Sequence, residues 1–239
     1  MMHDKNVFLI QNVINDLLDP QTSVEAALLK LNYFARLVKN DRLLKFTELE
    51  INGYKQETKV PAYRQTIAHL NVVLSDGHQN KTIDLPIENL EAPFNTQLRN
   101  IQVREGIRIV EAMAEKKIVE NDQTIGTPVP SGMLAYIKKV TDKFTANGVS
   151  PISAMVSGNP TLTMQIISTV RYRMLGFATE IAEQFGYVIE IGSFTGHLQQ
   201  NNQMINNYIQ NQIVNNGNHN VNNTGNHAKV TRNKNRPKN

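Results

Sequence analysis

The chain has 239 residues, with 25 basic and 21 acidic side chains, 40% hydrophobic residues, and neither Cys nor Trp. That length holds one to one-and-a-half ordinary domains. The missing thiols exclude disulfides, iron–sulfur clusters, Cys nucleophiles and Cys-based zinc sites. No apolar run approaches the roughly 18 residues of a membrane span. Acids and amides break up the apolar residues of segment 1–19, so the sequence predicts a cytoplasmic protein with no secretory signal and no membrane partner.

Val7, Leu9, Ile10, Val13, Ile14, Leu17 and Leu18 recur at helical spacing, which predicts a first helix over 7–18 within an N-terminal unit, 1–19. Asp19-Pro20 stops it, because the residue before proline avoids the α region. Thr22 or Ser23 caps a second helix, with Glu25 in its positive first turn. The stripe of that helix is Val24, Ala27, Leu28, Leu31, Phe34, Ala35 and Leu37. Asn40-Asp41 starts a third helix through Leu43, Leu44, Phe46, Leu49 and Ile51, and Gly53 ends it.

From residue 60 the pattern turns to β. Segment 65–74 is rich in alternating and β-branched residues, Asp76-Gly77 marks a turn, and 82–85 is the returning strand. Residues 86–90 read as a turn of helix, and 95–117 as a longer helix interrupted at Gly106. A polar loop spans 121–130, a helix 132–144, and a short strand 152–157. The strongest helix opens after Asn159-Pro160-Thr161, carries Leu162, Ile166, Val170, Met174, Phe177, Ile181 and Phe185, and stops at Gly186. Residues 187–191 form a strand-like exit. The fold class expected is α+β, mainly α: a helical bundle with a small β-hairpin or sheet over 20–192, then an Asn-rich C-terminal tail over 193–239.

The formal charge of +4 resides in that tail. After Glu190 there is no acid, while Lys229, Arg232, Lys234, Arg236 and Lys238 follow; the first 190 residues carry 20 basic and 21 acidic groups. A near-neutral body argues against a broad nucleic-acid face. The five cations alone predict weak, non-specific binding with a salt slope of about −4.5 on duplex DNA. Fifteen of residues 201–239 are Asn, and Gly217-Asn218-His219 recurs as Gly225-Asn226-His227. Two readings stand: a disordered tail, or short strands stacked through Asn ladders between copies. The second makes Ile205, Ile209, Ile213, Asn218, His219, Asn226 and His227 the oligomerisation residues of a homo-oligomer.

No residue pattern singles out catalysis, a cofactor or a metal. Neither glycine-rich phosphate motif occurs, and no His pair has the spacing of a helical zinc site. His69 reads as a half-buried strand residue. Glu111 and Glu115 share a helix face beside Lys116 and Lys117 and read as a solvated charged face. Glu48 and Glu50 point to different faces. Arg171 and Arg173, in the strongest helix, suit an anion or a partner carboxylate, and in the alternative reading they line the pocket of a nucleotide- or nucleic-acid-processing enzyme.

Four segments carry a family resemblance: Ser23-Val-Glu-Ala-Ala-Leu-Leu-Lys-Leu with Ala35-Arg-Leu; Glu48-Leu-Glu-Ile-Asn-Gly-Tyr54 followed by Val60-Pro-Ala-Tyr-Arg64; Leu85-Pro-Ile-Glu-Asn-Leu90; and Thr169 to Gly186, around Arg171-Tyr-Arg173-Met-Leu-Gly. Their order and spacing resemble the AbiTii domain, a bacterial family linked to abortive infection and phage defence. The resemblance implies a non-enzymatic sensor, adaptor or interaction module, serving a separately encoded effector or meeting a phage component. It brings no catalytic residues. Tyr54, Tyr63, Arg64, Arg171 and Arg173 are the candidate partner-binding residues.

Overall fold

A computed structural model describes residues 6–120 and 125–214. Strand β1 (Val7–Leu9) opens the chain and leads directly into helix α1 (Ile10–Leu18). The sequence predicted helix throughout 7–18. The first three residues instead pair antiparallel with β8 (Val188–Glu190), the exit of the longest helix, and turn Phe8 inward opposite Ile189. Alternation of inward and outward side chains over three residues is too short to separate from a helical stripe.

Helix α2 (Val24–Leu37) begins at Ser23, whose Oγ accepts from the Glu25 N–H at 3.0 Å. Helix α3 (Asp41–Asn52) begins at Asn40, whose Oδ1 accepts from the Leu43 N–H at 2.8 Å, and ends at Gly53 with φ +87°. Both starts and the glycine stop are as the sequence predicted. A 3-10 turn at Ala62–Arg64 then feeds β2 (Gln65–Ile67), β3 (His69–Ser75) and β4 (Asn80–Leu85), joined by the Asp76-Gly77 turn.

The predicted helix over 95–117 is divided. Helix α4 (Phe94–Gln97) is one turn long, β5 (Asn100–Gln102) pairs with β2, and α5 (Ile107–Glu120) starts only after Gly106. Gly106 is a point of close approach: a Cβ there would meet the Ile51 carbonyl oxygen at 2.1 Å. Strand β6 (Ile125–Pro128) lies within the predicted polar loop, on the edge of the main sheet. Pro128 is tolerated there because an edge strand need not use every N–H. Helix α6 (Leu134–Thr141), strand β7 (Ser150–Gly158) and the 24-residue helix α7 (Leu162–Phe185) follow as expected.

The main sheet has the order β4-β3-β7-β6, all antiparallel, with a register shift between Val73 and Leu74. Its inner face buries Leu70, Val72, Ala154 and Val156 against Ile137 and Val140 of α6. The outer face is polar: Asn71 donates to Ser157 Oγ at 2.6 Å, and His69, exposed rather than half-buried, faces Asp84 at 3.5 Å. A second, larger core joins α1, α2, α5 and α7, and Ile101 of β5 packs against both cores.

Residues 198–214 depart most from the sequence reading of a disordered or strand-stacking tail. Helix α8 (Ile191–Gly196) and helix α9 (Leu198–Tyr208), continued by a π-helical turn over Ile209–Val214, pack on the body. Ile205 and Ile209 are buried in the chain's own core, not left to join copies. The ring of Tyr208 meets Phe177 edge-on at 5.6 Å. Amides complete the docking: Asn202 donates to the carbonyls of Val38 and Lys39 at the end of α2 and accepts from Asn40 at 3.0 Å, while Asn201 donates to Phe194 O at 2.8 Å. The side chain of Ile213, and Asn218, His219, Asn226 and His227, lie outside the described residues. Ile205→Ala should therefore lower unfolding stability by about 2–5 kcal/mol, read from the urea midpoint. A chain ending at residue 199 should lose more than one ending at 214.

Candidate functional site

The two motif segments most distinctive in the sequence meet inside the protein. Helix α3 turns Glu48 outward, where it pairs with Arg36 at 2.8 Å, and turns Glu50 inward, with no exposure at all. The sequence placed the two glutamates on different faces, and they take these two fates. Arg64 reaches Glu50 from the 3-10 turn before β2, with Nη2 2.6 Å from Oε2 and equally complete burial. The second terminal nitrogen, Nη1, donates to the carbonyls of Glu105, at 2.8 Å, and Val103, at 3.3 Å. The hydroxyls of Tyr54 and Tyr63 both donate to Glu50 Oε1, Tyr63 at 2.5 Å. The guanidinium lies 5.1 Å from the centre of the Tyr54 ring.

The electrostatics of this cluster are self-contained. Burial first, and then the Glu50 charge, push both tyrosine hydroxyls far above their ordinary range, so both stay protonated donors. Burial, the largest single influence, would lower the Arg64 pKa; the Glu50 charge and hydrogen bond, with the two tyrosines, together hold the guanidinium above its usual value. Arg64 Nε is buried without a hydrogen-bond partner. The cluster can hold three chain segments in register, and its polar groups face one another rather than solvent.

Main-chain geometry requires the same closeness. Tyr54 N–H donates to Arg104 O at 2.7 Å, and a Cβ on Gly53 would meet that oxygen at 2.5 Å. The Arg104 guanidinium in turn donates to the carbonyls of Lys55 and Thr58. Glu50 was not among the candidates read from sequence. Its signal was present: an acid on the apolar side of α3, two residues from one that belongs to the solvated face.

The remaining candidates lie on α7. Arg171 donates to four carbonyls, of Asp16, Leu17, Asp19 and Thr22, at 2.7–3.3 Å. It thus closes the C-terminal end of α1, which has no further turn to bond its last carbonyls. Arg173 stacks over the Tyr63 ring, 4.7 Å from its centre. Glu111 serves α2 in the opposite sense. Its carboxylate accepts from Ser23 Oγ at 2.5 Å and from the Val24 N–H at 2.7 Å, placing a negative charge at a helix N-terminus. The sequence read it as part of a solvated face because its partner is 87 residues away.

Further along α7, a cleft of 470 Å³ opens against α9. Phe177, Ile181, Met204 and Tyr208 make its apolar side; Glu180 and the amides of Gln203, Asn207 and Asn211 make its polar rim. Burial and then the Glu180 charge raise the Tyr208 hydroxyl above its ordinary pKa. No group of three or more potential metal ligands occurs among the described residues, and no helix there is long and apolar enough to cross a membrane.

The class so defined is a mainly helical α+β domain knit by a buried ion pair, with an open cleft on its longest helix. The AbiTii family model matches residues 8–207. The chain belongs to the AbiTii family, and that membership points to a role in abortive-infection defence against phage. The match extends through most of α9, past residue 192. No curated protein and no solved structure matches the chain.

Glu50→Gln should cost about 3–5 kcal/mol, because it leaves the Arg64 charge buried and uncompensated. Glu50→Leu combined with Arg64→Met, Tyr54→Phe and Tyr63→Phe, which removes the charges and the hydroxyl donors together, should recover part of that loss in chemical denaturation. The tyrosines supply a second test. Their pKa values are raised in the folded state, so their contribution is full below about pH 10, where unfolded tyrosine is also protonated, and falls as pH rises above it. In an alkaline absorbance titration, Tyr54 and Tyr63 should ionise only as the protein unfolds.

Proposed function

We propose that this chain serves phage defence by binding rather than by turnover, as a sensor or adaptor whose body docks a partner and whose C-terminal segment joins copies. The observation that carries this reading is the chemistry of the cleft between α7 and α9. Amides and one carboxylate around the partly exposed Met204 and Tyr208 suit a chain or a surface held through hydrogen bonds and contact area. The inward-facing Glu50 cluster supports the same reading: Glu50, Tyr54, Tyr63 and Arg64 are engaged with one another and give the body rigidity. Arg171 is likewise engaged by main-chain carbonyls. The partner is either a separately encoded effector or a phage component, and the acting form is a homo-oligomer.

The test is sedimentation of the full chain against a chain ending at Val214, which keeps the packed helix α9. The full chain should gain mass with concentration and the shortened chain should not. Equal masses over a wide concentration range would remove the joining role.

A further inference from the structure

An open cleft of 470 Å³ lies between α7 and α9. We propose that it receives part of segment 215–239 from a second copy of this protein. This rests on the reading above, that the C-terminal segment joins copies, and it names the surface at which they join.

Three features choose this occupant. The first is hydrogen-bonding chemistry. Gln203 and Asn207 present exposed side-chain amides along the rim, and each amide offers both donors and an acceptor. Peptide groups and asparagine side chains match that pattern, and segment 215–239 holds ten asparagines. Its two spaced valines, Val221 and Val230, suit the partly exposed side chains of Met204 and Tyr208. A volume of 470 Å³ fits a few residues of chain rather than a folded domain.

Charge is the second feature. Glu180 stands in the wall of the cleft, and the segment brings Lys229, Arg232, Lys234, Arg236 and Lys238 with no acid of its own. Oppositely charged partners of this kind gain mainly in encounter rate and in choice of partner.

The third is where the chain leaves. Asn211 lines the cleft, and the described chain ends three residues later at Val214, in the turn that continues α9. Twenty-five further residues can extend roughly 80–90 Å, ample to reach another molecule. A chain's own segment would have to turn back on the helix it has just left, whereas a neighbour's segment can approach in line. Mutual exchange closes a pair, and one-way donation extends a row.

The experiment uses a synthetic peptide of residues 215–239, the chain ending at Val214, and the full chain. The peptide should bind the shortened chain. Glu180→Lys, and separately the exposed pair Gln203→Ala with Asn207→Ala, should weaken binding at least tenfold with unchanged thermal unfolding. In the full chain, Glu180→Lys should weaken assembly by a similar factor. Adding a copy in which Lys229, Lys234 and Lys238 are all Glu should restore it. Absence of peptide binding, or binding indifferent to both variants, overturns the proposal. So does a full chain that stays monomeric and shuts out added peptide, since its own segment then fills the cleft. Assembly that survives in the Glu180→Lys chain removes this cleft as the joining surface while leaving the joining role of the segment in place.

Discussion

The structure depends on one buried charge pair. Glu50 and Arg64 are removed from water completely, and such a pair is tolerable only where further hydrogen bonds satisfy what the pair itself does not. Here the two tyrosine hydroxyls complete the carboxylate, and two carbonyls from the β5–α5 connection complete much of the guanidinium. The groups come from α3, from the chain that follows it, and from a segment some forty residues on. An error in placing any one of them would strand a charge in the interior. The pair thus works less as a source of net stability than as a condition on register, and Gly53 and Gly106 permit the close main-chain approach that this register demands.

A second regularity follows from helix ends. The last carbonyls and first N–H groups of a helix need partners, and in this protein several come from distant helices. Arg171 on α7 closes α1, Glu111 on α5 opens α2, and Asn202 on α9 closes α2. Each bond joins two elements while satisfying the main chain of one. Orientation between helices is therefore set by directional bonds as well as by the apolar stripes, which alone would permit sliding.

These long-range bonds explain what was legible in the sequence. The bounds of α2, α3 and α7 were readable because their signals are local: Ser23, Asn40 and the glycines at 53 and 186 act within a turn of themselves. The β3–β4 hairpin was readable for the same reason. The division of the 95–117 region was not, since the need for Gly106 arises from the Ile51 carbonyl, far away in the chain. Three members of the buried cluster, Tyr54, Tyr63 and Arg64, were visible as a motif, whereas Glu50 became meaningful only once α3 was placed against them. The segment 198–214 was misjudged from composition. Asparagine-rich sequence usually lacks apolar surface enough to fold alone, but α9 does not fold alone. It adds Ile205 and Ile209 to an existing core and spends Asn201 and Asn202 on helix ends.

Helix α9 also makes one wall of the cleft beside α7. Helix α7 carries the capping Arg171, the stacking Arg173 and the cleft residues Phe177 and Glu180 in order along one rod, with a total length of about 36 Å for 24 residues. Its first half is held by α1 and the Tyr63 side of the buried cluster. Its second half forms one wall of the open cleft, whose other wall is α9. Ile205 both lines the cleft and packs into the core, so the contacts that hold α9 on the body also fix this wall. Preorganisation of this kind lowers the ordering cost of binding on one side of an interface. For the occupant proposed, the remaining ordering cost would fall on the incoming chain, and occupancy would rise with local concentration.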